Sequence, residues 1–149
     1  MNAQSRLKRL RDIVAVRAAQ RDGARLGLAR ADAAVAASIR KIDAETARQV
    51  LRQTEWDLRL SARRLDPELV GLWAAAIWRG AADLTGLAAG QQAAEAERET
   101  AKAEWRLATG RLDGAEVVLT AAARRRRRLM EEAQLAEIAD RAARERRAP

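Results

Sequence analysis

From Val70 onward the chain carries an apolar position every seventh residue, and this repeat leaves few folds open to it. The positions are Val70, Ile77, Leu84, Gln91, Arg98, Trp105, Leu112, Leu119, Arg126 and Ala133. A companion set reads Trp73, Gly80, Leu87, Ala94, Ala101, Ala108, Ala115, Ala122, Leu129 and Ala136. Two interleaved series of this period form one stripe on a long α-helix, the pattern of a coiled-coil seam with polar interruptions at Gln91, Arg98 and Arg126. Small residues dominate the companion set, so a partner helix is expected to approach closely.

The partner helix is expected from the same chain. In Leu65-Asp66-Pro67-Glu68-Leu69-Val70, Asp66 can accept hydrogen bonds from free backbone N–H groups, and Pro67 suits the first helical position. Glu68 complements the positive end of the helix dipole. Leu65 and Val70 are spaced as a hydrophobic staple. One helix is thus expected over about 3–64, a turn at about 65–66 and a second helix over about 67–146. A bend or a frayed section is expected at 80–90, since each helical glycine costs about 1 kcal/mol relative to alanine. The fold class is all-α: a long antiparallel two-helix coiled-coil hairpin, one domain over 1–149.

The first helix reads less regularly. Leu7, Val14, Leu28, Val35 and Ile42 share one heptad phase with Arg21, whereas Leu51, Leu58 and Leu65 share another. A phase slip between Ile42 and Leu51 would turn those three leucines inward and Trp56 outward. The hairpin register also brings the N-terminus beside residues near 129, leaving the last twenty or so as an overhang.

Composition narrows function. There is no Phe, Tyr, Cys or His, which removes thiolate and imidazole chemistry and the commonest zinc ligands. Neither a Walker phosphate loop nor a G-x-G-x-x-G turn occurs. The carboxylates of Glu95, Glu97, Glu99, Glu104, Glu131 and Glu132 would stand on open helix surface, with no pocket to tune a pKa. No enzymatic activity, cofactor or metal is expected. No apolar run approaches the roughly 20 residues that span a bilayer, and the N-terminus has no signal-peptide core. A cytoplasmic location is expected.

A net charge of +8, nearly all of it arginine, favours acidic partners. The uninterrupted run Arg124, Arg125, Arg126, Arg127 and Arg128 is expected beside Arg6, Lys8, Arg9 and Arg11, with Leu7 and Leu10 among them, as a basic pole for partner binding. A solvated helical face is the competing reading of such a run. A second candidate contact surface lies nearer the turn, at Trp56, Trp73 and Trp78, since tryptophan often anchors interfaces. Trp73 and Trp105 fall on seam positions, where packing suffices to explain them. Nucleic acid is the weakest partner class, because acidic residues are interleaved through most of the chain and the tryptophans near the turn lie away from the arginines.

Glu104-Trp105-Arg106, the segment Leu112 to Leu119, the cluster Arg124 to Arg128 and Ala136-Glu137-Ile138-Ala139-Asp140-Arg141 ending in Arg144-Glu145-Arg146-Arg147 together resemble the flagellar FliJ family and its relatives in virulence type III secretion. The N-terminal Leu7/Leu10 pattern with flanking bases agrees, so the resemblance covers nearly the whole chain. The resemblance implies a stalk-like component of a protein export apparatus, cytoplasmic and peripheral at the inner membrane. Its implied partners are a hexameric export ATPase, an export gate protein and export chaperones. Carried over by position, Arg124 to Arg128 with Leu7, Arg9 and Leu10 would face the ATPase ring, and Trp56, Trp73 and Trp78 the gate or the chaperones. A generic coiled-coil scaffold is the alternative reading.

Overall fold

A computed structural model describes residues 3–61 and 66–146. They form two α-helices, α1 (Ala3–Leu60) and α2 (Pro67–Glu145), packed against each other as an all-α helical hairpin. The start of α2 is built as its residues dictate. The Asp66 carboxylate accepts a hydrogen bond from the Glu68 backbone N–H at 3.0 Å, and the Asp66 carbonyl accepts the Val70 N–H at 3.0 Å. This is an N-cap followed by proline at the first helical position. At the end of α1, the Ser61 hydroxyl and backbone N–H both donate to the Asp57 carbonyl. Leu65, and with it the expected staple to Val70, lies outside the described residues.

The chain divides into two compact units. One comprises Met1–Ala24 with Trp105–Pro149, the other Arg25–Glu104. In each, a stretch of α1 pairs with a stretch of α2. The α2 seam is the one read from the heptads: every position of both series from Val70 to Arg126 is buried or half-buried, and Leu129 and Ala133 are exposed. From Arg127 to Arg146 every side chain that is described is exposed. α2 also runs unbroken through Gly80 to Gly90, so the fraying expected there is absent.

In the first unit the most buried side chains are leucines, Leu7 at 6% exposure and Leu112 at 3%, with Arg21 and Arg126 half-buried on the seams of α1 and α2. In the second unit the seam buries charge. Glu45, 6% exposed, accepts from Arg48 at 3.0 Å and from Arg52 at 2.9 Å. Arg52 also donates to the Gln49 side-chain oxygen, and the Gln49 amide donates to the Ile77 carbonyl of α2 at 2.9 Å. Gly80 faces this cluster from α2 and is buried; a Cβ there would collide with the ends of Gln49 and Arg52. Farther along the same unit, Arg98 Nε donates to Asp32 at 2.6 Å across the two helices.

This polar layer overturns the expected phase slip. Leu51 and Leu58 are 65% and 69% exposed, and Trp56 is half-buried. The heptad that begins at Leu7 continues instead through Ile42 to Gln49 and Trp56, with Glu45 and Arg52 as companions. Leucines spaced by seven suggested a second seam. The inward face is held by polar groups that satisfy one another and by the space over Gly80, at no cost in unpaired buried atoms: none occurs among the described residues.

Candidate partner-binding site

In the first unit, α1 and α2 enclose an open groove of about 580 Å³. Arg6, Leu7 and Leu10 line it from α1. Val117, Val118, Ala121, Ala122, Arg125, Arg126 and Leu129 line it from α2. Two segments remote in sequence therefore meet here, and Arg6 shares one hollow with Arg125 and Arg126. Leu7 forms the buried floor and Leu10 is half-buried, whereas Arg6, Lys8, Arg9 and Arg11 are exposed. Within the arginine run only Arg126 occupies the seam and is half-buried. Arg127 pairs with Glu131 at 2.8 Å, one helical turn on.

The groove has an apolar half that the charge pattern alone did not indicate. Val117 and Val118 are 68% and 53% exposed, and Leu129 is 56% exposed. A smaller hollow in the same unit is formed by Asp12, Ile13, Val16, Arg17 and Gln20. The legible signal was the Val117-Val118 pair, two adjacent β-branched residues off the seam of α2. Chemically, a greasy floor rimmed by guanidinium groups suits an amphipathic acidic segment: the apolar wall provides burial, and each arginine can engage a carboxylate through paired N–H donors.

The tryptophans nearer the turn do not form a single exposed set. Trp56 and Trp73 are half-buried on the seams of α1 and α2, and the Arg59 guanidinium stacks 5.0 Å from the Trp73 ring centre. Trp78 stands out at 77% exposure. Leu51, Leu58, Leu69 and Leu72 are also exposed in this unit, an apolar set that the sequence hides because the seven-residue spacing of Leu51 and Leu58 places those two in a core.

In the polar layer the Glu45 carboxyl is held away from its ordinary behaviour. The Arg52 hydrogen bond, followed by that of Arg48 and the charges of both, holds the Glu45 pKa below its ordinary value of 4.5, against the opposing pull of burial. Among the described residues no group of carboxylates is placed to hold a metal ion, and no helix is long and apolar enough to cross a membrane.

The fold and groove define a class: a two-helix, coiled-coil-like hairpin with a basic, partly apolar groove. Comparison with protein-family models, curated proteins and solved structures found no match.

Proposed function

We propose that this chain is a non-enzymatic stalk or adaptor of a flagellar type III protein export apparatus, docking through its basic pole on the hexameric export ATPase. The observation that carries this reading is the groove in which Arg6, Leu7 and Leu10 meet Arg125 and Arg126, together with the resemblance of the same segments to the FliJ family. In this reading the pole engages an acidic, partly apolar surface of the ring. The half of the hairpin nearer the turn, with Trp78, Leu51, Leu58, Leu69 and Leu72 exposed, serves the export gate and the chaperones. The protein is cytoplasmic and reaches the inner membrane only through the apparatus.

The physics suits such a role. A two-helix hairpin has a thin core, so a partner that recognises only the folded form stabilises it by linkage. A cationic pole speeds association and makes it salt-sensitive. The test is capture from extract with the tagged full chain, followed by titration of the purified ATPase. Replacing Arg124, Arg125, Arg127 and Arg128 by Glu should weaken binding on the order of a hundredfold, since like charges facing across an interface cost several kcal/mol. Helicity by circular dichroism should be unchanged. Unaltered affinity after the swap rules out the pole as the docking site, and failure to capture an ATPase while other proteins are retained favours the generic scaffold, to which the exposed leucines near the turn would then belong.

A further inference from the structure

We infer that a second copy of this chain is an occupant of the groove, inserting the overhanging end of α2 in an antiparallel, two-fold symmetric exchange. This inference stands on the overhang and the groove alone and does not depend on the export reading.

The overhang is an uncovered helix with an apolar stripe. Leu135, Ile138, Ala139 and Ala142 follow the i, i+3, i+4, i+7 spacing of one helical face, and Leu135 and Ile138 are 66% and 62% exposed. Leu129 and Met130, at the root of the overhang, are 56% and 53% exposed. A helix laid with such a face in a groove is a common recognition mode, and the groove has the matching wall of Val117, Val118 and Ala121.

Charge selects the occupant. Between Leu129 and Asp140 the chain carries Glu131, Glu132, Glu137 and Asp140 and no Lys or Arg. Immediately before it stands Arg124 to Arg128, and across the groove Arg6. The acidic block thus complements the rim of the groove in both sign and polarity. It cannot reach the groove of its own chain, because groove wall and overhang belong to one unbroken helix that runs on past the groove. Only another molecule can bring the two together. The pairs Arg127–Glu131 and Arg141–Glu137 within one helix are exposed and weak, so exchanging them for contacts between copies costs little.

Antiparallel pairing satisfies both copies at once. With Ile138 of one copy over Ala122 of the other, the two-fold axis falls beside Met130. Leu129 and Met130 of both copies then come together at the axis, and each acidic block lies along the partner copy's arginine run. The contact is isologous and closes at two copies, so it forms a dimer and no filament. It covers the basic pole, and any other partner of the pole competes with it.

The test is sedimentation equilibrium on the purified full chain across protein concentration and salt. A monomer–dimer equilibrium is expected, with dimerisation weakening as salt screens the charges. E132R/E137R and R124E/R125E/R128E should each lose self-association by on the order of a hundredfold while keeping their circular dichroism. Their equimolar mixture should restore a dimer, because both of its interfaces then pair opposite charges again. Since the chain has no cysteine, A122C and I138C variants mixed under oxidising conditions should give the mixed disulfide. A chain that stays monomeric at every concentration, a dimer indifferent to both reversals, or reversals that fail to rescue each other would overturn the exchange.

Discussion

The two units solve the same packing problem with different chemistry. The unit of Met1–Ala24 with Trp105–Pro149 buries leucine, at Leu7 and Leu112. The unit of Arg25–Glu104 buries Glu45 beside Gln49, Arg52 and Gly80, and has no fully apolar layer of comparable burial among its described residues. Leucine layers stabilise without strongly preferring one register, since one apolar contact substitutes for another. A polar layer contributes less burial, but its hydrogen bonds close in a single arrangement, here with the Gln49 amide on the Ile77 carbonyl. Polar groups at coiled-coil seams are known for this role in fixing register. The comparison teaches that stability and alignment are drawn from different units of the chain.

The largest effect is expected where the leucine layer is broken. Leu112→Ala, at a side chain 3% exposed, should cost about 2–4 kcal/mol and lower the thermal midpoint followed by circular dichroism. A cost no greater than that of an exposed leucine would mean that the first unit does not rely on that layer.

The polar layer should respond to acid. The folded pKa of Glu45 is depressed, so its contribution is fully present above the ordinary value of 4.5 and is lost as pH falls through the lower folded value. Melting curves of wild type and Glu45→Gln should therefore differ at neutral pH, with the wild type more stable, and converge as pH drops below that ordinary value. A difference independent of pH would assign the layer a purely steric role.

Glycine substitutions sharpen the contrast further. A Cβ at Gly86 meets nothing within 4 Å, so Gly86→Ala should stabilise by about 0.5–1 kcal/mol through helix propensity alone. At Gly80 the new methyl displaces the ends of Gln49 and Arg52. Both side chains are flexible, so Gly80→Ala should gain less than Gly86→Ala, because the propensity gain is offset by loss of the Gln49 bond to Ile77. Equal gains at the two sites would show that the cluster contributes nothing.

The smallest effect is expected at Leu58. At 69% exposure, Leu58→Ala should change stability by less than about 0.5 kcal/mol. A cost of core size would restore the phase slip that its spacing from Leu51 suggested.

How much was legible follows from which residues speak by themselves. The α2 seam was readable because its heptad runs from Val70 without an inserted residue, and Asp66-Pro67-Glu68 announced the helix start through backbone chemistry that needs no partner. The basic half of the groove was readable because both of its strands of charge follow from the hairpin register. The end of the α1 seam was not readable. Apolarity was the guide, and there the inward positions are Glu45, Gln49 and Arg52 whereas Leu51 and Leu58 are outside. The valine wall of the groove escaped notice for a related reason: a residue off the seam gains meaning only from the helix beside it.

The sequence by itself thus determined two long helices, the cap that starts the second, its seam, and the convergence of two basic segments. These follow from local preference and period, which act along the chain. Only the tertiary structure decided which face of α1 turns inward beyond Ile42, because that depends on whether the polar side chains of that face can satisfy one another within α1 and find a carbonyl and room over a glycine in the opposite helix. It also decided that the arginines rim an apolar groove, since a groove belongs to two helices and to neither alone.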